Sequence, residues 1–243
     1  MNKSIKHILF LVVLSYIFFM FGNGLLPLSD PDEVFYAQTT KEMILHHEWN
    51  IPFLFGQPQF EKPIFIYWLL RIAFLIFGMT DFGARFFPAL FATLGVIAVY
   101  LLAKLAFNDT KKAIFSAIVL MSNILYIGLA RTVFTDMVFS VFILMALLSF
   151  FWGYSIRRRG DPGIILFFLF AALATLTKGP LGLLLPFAAA LFFLLIRRDV
   201  RFFFKPGFFI GVVIFSAVAL PWYIYITAKY GNTFIREFFY NDH

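Results

Sequence analysis

Long apolar runs and short polar breaks alternate along almost the whole chain. The apolar runs cover roughly residues 8–28, 83–105, 113–130, 137–154, 163–177, 180–196 and 206–226. A helix needs about 20 apolar residues to cross the hydrocarbon core, so the pattern predicts an all-α polytopic membrane protein of about seven spans, a single domain over 1–243. Between the first two runs lies a long mixed segment, about 29–82, which reads as an extramembrane loop. It contains one further apolar run, "PIFIYWLLRIAFLIFG" (63–78), with Arg71 at its middle.

The distribution of basic residues decides how that run is used. If 63–78 does not cross and the N-terminus is cytoplasmic, the inner loops collect 12 of the 20 Lys and Arg residues, including Lys104, Lys111, Lys112, Arg157 to Arg159, Arg197, Arg198, Arg201 and Lys205. If it did cross, "RRRGD" and "IRRDVR" would both face outward, against the positive-inside rule. The run is therefore expected to be a juxtamembrane helix in the first outer loop, with Arg71 reaching lipid headgroups or a partner. The net charge of +7 is accounted for by topology and anionic membrane lipids, and nucleic-acid binding is excluded.

Composition agrees: the chain is 62% hydrophobic with a mean hydropathy of +0.88, against roughly 45–50% apolar residues in soluble domains. The 37 phenylalanines read as lipid-facing and interhelical packing. Cysteine is absent, which excludes disulfides and thiolate metal sites. The opening "MNKSIKHILFLVVLSYIFFMFGNG" is too long for the apolar core of a signal peptide and has no A-x-A site, so it reads as an uncleaved first span. The polar stretch after 226 is followed by no further span, which predicts the N-terminal part of a longer chain.

With this topology most of the acidic and the remaining polar residues gather at one boundary. Asp30, Asp32, Glu33 and Tyr36 follow the first span; Glu61 and Lys62 precede 63–78; Arg131 and Asp136 lie in "LARTVFTDMVF"; Lys178 lies in "TLTKGPLG"; Glu237, Asp242 and His243 follow the last span. Pro63 can open a helix at its first turn, which would put Lys62 at a helix N-terminus suited to a phosphate. Asp32 could be the N-cap of a helix running to about residue 45. Single charges in outer loops also serve as solvated anchors, which is the plain reading of Lys41, Glu42, Glu48, Asp81, Lys229 and Arg236.

"PDEVFYAQTTKEMI", "QPQFEKPIFIYWLL", "FGARFFPALFATLGVIAVYLLA", "TDMVFSVFILMALL" and "LATLTKGPLGLLLP", in this order and spacing, resemble the glycosyltransferase C superfamily. The likeness is to its bacterial aminoarabinose transferases and to protein O-mannosyltransferases, and it covers essentially the whole chain. The resemblance implies an integral-membrane glycosyltransferase of the bacterial inner membrane, N-terminus cytoplasmic and site on the outer face. It would move a sugar from a polyprenyl-phosphate donor to a lipid, glycan or protein acceptor, with inversion. It implies Asp32, in the "DE" motif, as the catalytic carboxylate, and Lys62 with Lys178 at the donor phosphate. Glu33, Tyr36, Glu61, Arg131 and Asp136 would line the cavity or orient Asp32. No cofactor is required; a divalent metal at Glu61, Asp136 and His243 would be compatible. In the aminoarabinose transferases an arginine typically stands three residues after the motif Asp, where this chain has Phe35, so the resemblance does not name the sugar. Two other readings share the same residues: a transporter or flippase for lipid-linked sugar, and a non-catalytic membrane scaffold.

Overall fold

The computed structural model describes residues 3–155 and 160–238. The chain is helical almost throughout, in the order α1 (Lys3–Ser15), α2 (Pro31–Leu45), a two-stranded hairpin β1 (Phe53–Leu54) and β2 (Gln57–Pro58), α3 (Phe65–Phe77), α4 (Asp81–Phe107), α5 (Thr110–Met121), α6 (Ile124–Ala130), α7 (Thr135–Ser155), α8 (Gly160–Lys178), α9 (Leu181–Ile196), α10 (Pro206–Tyr230) and α11 (Asn232–Arg236).

Two ends of the bundle are defined by contacts along α4. Near its start, Arg85 binds Glu33 of α2; near its finish, Lys104 Nζ donates to Ser4 Oγ of α1 at 2.6 Å. At 1.5 Å per residue these points lie about 28 Å apart, close to the roughly 30 Å of a hydrocarbon core. Because α2 and the start of α4 meet at one end, α3 returns the chain to the end from which it came. Its 13 residues span only about 20 Å, short for a crossing. The run 63–78 is thus a helix that stays at one end, as the charge pattern predicts.

Among the described residues, four helices are long and apolar enough to cross a membrane alone: Asp81–Phe107, Thr135–Ser155, Asp161–Lys178 and Pro206–Tyr230. The expected span 113–130 is instead a broken pair, α5 and α6, bent by 68°. The break falls at Ser122 and Asn123, where Asn123 Oδ1 caps α6 by accepting from Tyr126 N at 3.1 Å. The segments Ser4–Met20 and Leu181–Ile196 are apolar but shorter. The first is also shorter than the 8–28 expected, because a π-helical turn over Tyr16–Met20 leads into extended Phe21 and Gly22 at φ 75°. Glycine, asparagine and Pro27 then keep residues 22–30 out of a helix.

Close helix approach relies on small residues. A Cβ at Gly95 of α4 would stand 2.2 Å from the Tyr126 hydroxyl, which donates to Ala92 O at 2.8 Å. That bond ties the broken α5–α6 pair to α4. Gly95→Ala is expected to break it by overpacking, lowering stability by about 1–3 kcal/mol, read as a fall in the thermal unfolding midpoint in detergent.

Candidate functional site

The site is built at the α2 end of the bundle. α2 starts with Asp30 as its N-cap, Oδ1 accepting from Asp32 N at 2.9 Å, and Pro31 in the first turn. The cap is therefore Asp30 and not Asp32. Proline is favoured at the first helical position because its missing N–H has no intrahelical partner to lose, and "DP" marks that boundary. Asp32 is left in the first turn with an exposed carboxylate and no capping duty.

The next residue points the other way. Glu33 is 1% exposed. Its Oε1 and Oε2 accept from Arg85 Nε and Nη2 at 2.9 and 2.8 Å, and Oε1 also accepts from Val133 N at 3.1 Å. Arg85 spends its remaining donors on the carbonyls of Asn23, Leu26 and Pro27. One guanidinium thus gathers the irregular 22–30 segment, α2 and α4, while Glu33 reaches the loop before α7. Arg85 lies inside the quoted "FGARFFPAL" but was given no role from sequence. A lone arginine four residues into a span is the signal that could have found it.

Tyr36, one turn on from Asp32 and Glu33, is 5% exposed. Its ring lies 6.0 Å from that of Tyr67 on α3, whose hydroxyl accepts from Gln59 Nε2 at 2.8 Å. Burial pushes the Tyr36 phenol well above its ordinary pKa; a hydrogen bond with the Thr135 side chain opposes this, and the negative charges of Asp32, Asp136 and Glu61 add to the rise. Tyr36 therefore keeps its proton at neutral pH. Three carboxylates from three separate segments, α2, the stretch before α3 and the start of α7, lie close enough to act on it.

Asp136 Oδ1 accepts from Lys178 Nζ at 2.6 Å, joining the first turn of α7 to the last residue of α8. Glu61 N donates to Gln59 Oε1 and Lys62 Nζ to Glu61 O. Helix α3 starts at Phe65, with Ile64 as N-cap. Pro63 thus precedes the helix rather than opening it, and Lys62 stands three residues before the first turn. Phe60, just upstream, packs on Tyr230 of α10 and Phe234 of α11 with ring centroids 4.9 and 5.6 Å apart, which fixes this stretch against the far side of the bundle.

Arg131 is placed differently from the rest. Nη1 donates to Phe18 O and Phe21 O, carbonyls freed where the first helix unwinds. Arg71 does not reach for headgroups: it is 6% exposed, donates to Met43 O and Glu48 O, and its guanidinium lies 4.0 Å from the Trp49 ring. It closes the C-terminal end of α2, where carbonyls lack intrahelical partners. Glu42, also read as a solvated anchor, is 8% exposed and accepts from the Phe55 and Gly56 N–H groups at 3.0 and 2.9 Å. Burial works to raise its pKa, but hydrogen bonds from Gly56, Gln38 and Phe55 outweigh it and hold the carboxyl below the usual range. Those two residues, at φ 52° and 74°, form the two-residue turn of the hairpin, which is thereby pinned to α2.

Among the described residues no group of three or more His, Cys, Asp or Glu side chains is arranged to hold a metal ion. Of the trio compatible with a metal, Asp136 is paired with an ammonium group and His243 lies outside the described residues, as do Arg157 to Arg159 and Asp242.

Known proteins share this architecture. The crystal structure of ArnT from Cupriavidus metallidurans bound to undecaprenyl phosphate matches with a TM-score of 0.87 at 23% identity, over 97% of this chain and 44% of that one. An undecaprenyl phosphate-alpha-4-amino-4-deoxy-L-arabinose arabinosyl transferase of Pseudomonas fluorescens is 32% identical over 90% of this chain and 38% of its own length. An uncharacterised protein of Aquifex aeolicus is 28% identical over 96% of this chain and 46% of its own. The chain thus spans less than half the length of these relatives. The sequence model of the dolichyl-phosphate-mannose-protein mannosyltransferases matches residues 61–225, more than half of the chain, and the chain belongs to that family.

Proposed function

We propose that this chain forms the acceptor-activating half of an integral-membrane glycosyltransferase using a polyprenyl-phosphate sugar donor. The observation that carries the reading is the Asp136–Lys178 pair at 2.6 Å, at the end of the bundle where α2 presents exposed Asp32 and where the charges of Asp32, Glu61 and Asp136 act on buried Tyr36. The fold shared with a protein that binds undecaprenyl phosphate and the names of the arabinosyl transferase relatives support it. The acceptor is a hydroxyl of a lipid, glycan or protein.

In the proposed reaction the acceptor oxygen attacks C1 of the sugar on the face opposite the phosphate. The new C–O bond forms as the C1–O(phosphate) bond breaks, and the configuration at C1 inverts. Asp32 takes the acceptor proton, and the polyprenyl phosphate leaves with the bonding electrons. Its charge is met by Lys62. Lys178 gives one of its three N–H donors to Asp136, which it holds at the site, and can offer another to the phosphate. Tyr36, protonated, offers a hydrogen bond within the cluster. We place the site at the outer face of the bacterial cytoplasmic membrane and the N-terminus inside, which puts Lys104, Lys111, Lys112, Arg197 and Lys205 on the cytoplasmic side. No cofactor enters this scheme.

The test is transfer from a radiolabelled polyprenyl-phosphate sugar by the full-length protein in liposomes. The expected product carries the label with inverted anomeric configuration. Translocation of the lipid-linked sugar with no glycosyl product would overturn the proposal in favour of a transporter. The charged groups of the candidate site argue against that outcome, since they collect at one end of the bundle and transporter sites lie near the midplane.

A further inference from the structure

A second cavity lies away from this site. It is a groove of about 670 Å³ between α4, α7 and α8, within the roughly 300–1,000 Å³ of small-molecule pockets. Its walls are apolar, with Leu101 and Leu105 from α4, Leu148 and Trp152 from α7, and Leu166 from α8. Leu101 and Leu166 are exposed at its rim, so the groove opens on the apolar flank of the bundle. Only one end is charged: Lys104 and Asn108 line it where α4 finishes.

The partners of Lys104 are neutral. Its ammonium donates to Ser4 Oγ and lies 5.8 Å from the Tyr100 ring. Lys111 and Lys112 follow within the first turn of α5, their backbone N–H groups held by Asp109. An apolar slot ending in net positive charge, three lysines against Asp109, at the level where α4 leaves the hydrocarbon, matches one chemistry: an acyl chain joined to an anionic headgroup.

We propose that this groove binds an anionic phospholipid from the leaflet opposite the candidate active site, with one acyl chain between α4 and α7 and the phosphate at Lys104. The site is about 28 Å along α4 from Arg85 and takes no part in the proposed transfer reaction, so its test is independent of that reading.

Native mass spectrometry of the detergent-purified protein, titrated with dioleoyl phosphatidylglycerol or dioleoyl phosphatidylcholine, reads the headgroup. Phosphatidylglycerol is expected to bind more tightly, and Lys104→Gln to weaken it about fivefold, the effect of one lysine beside an anionic lipid, with phosphatidylcholine unchanged. Phosphatidylglycerol brominated in its acyl chains reads the groove: it is expected to quench fluorescence in the wild type more than in Trp152→Phe. Equal retention of both lipids, no effect of Lys104→Gln, or no Trp152-dependent quenching would each overturn the proposal. So would displacement of phosphatidylglycerol by equimolar undecaprenyl phosphate, which would make this a polyprenyl-phosphate site.

Discussion

Asp32→Asn in the full-length protein is expected to lower glycosyl transfer by about 10²–10⁴-fold, the usual contribution of a positioned general base, with the unfolding midpoint unchanged. The substitution keeps the size of the side chain and removes only its ability to take a proton. The structure explains why stability should be indifferent. The helix cap is Asp30, and the buried ion pair belongs to Glu33, so Asp32 carries neither duty. Asp30→Ala is the matching control: it loses the cap, about 1 kcal/mol, and keeps the carboxylate at 32. A well-folded Asp32→Asn protein that transfers sugar at the wild-type rate would remove Asp32 from the reaction.

Arg85→Met is expected to be the most destabilising single change, by about 3–5 kcal/mol, the cost of leaving one member of a buried ion pair without the other. The side chains of Arg85 and Glu33 are 8% and 2% exposed, so water cannot replace the lost partner. The same substitution strips donors from the carbonyls of Asn23, Leu26 and Pro27. Glu33→Leu together with Arg85→Met should recover part of the loss, because two apolar groups leave no stranded charge. It should not recover the carbonyl contacts. Thermal unfolding of the three proteins in detergent measures this, and an Arg85→Met protein as stable as wild type would show that the pair contributes nothing. Function is expected to fall with stability. Glu33 also accepts from Val133 N, three residues before Asp136, so the pair sets α2 against the loop that presents Asp136.

The gathering of the candidate site's segments at one end of the bundle was legible in the sequence. Asp32, Tyr36, Glu61, Asp136 and Lys178 come from four separate segments, yet an apolar-run count and the positive-inside rule put them at one boundary, and in the structure the charges of three carboxylates act on Tyr36. The direction of each side chain was not legible. Asp32 and Glu33 are neighbours of the same chemical type; helix phase sends one outward and the other into the core. Arg131 and Arg71 read as groups for a cavity or for headgroups, but both are consumed by backbone carbonyls where helices end.

Hydrophobic patterning determined the all-α membrane class and the positions of the apolar segments, and the distribution of basic charge determined the retention of 63–78 at one end. Those properties depend on how much apolar surface each stretch carries and where charge prevents burial, quantities summed along the chain. Tertiary structure decided the rest: the break at Ser122–Asn123, the early end of the first helix, the Glu33–Arg85 pair and the groove at Lys104. Each depends on which groups from distant segments meet. A buried carboxylate needs a cation, a broken helix needs donors for its carbonyls, and a tyrosine needs a glycine to pass. Local composition does not specify those partners, because many residues of the right type were available and only packing selects among them.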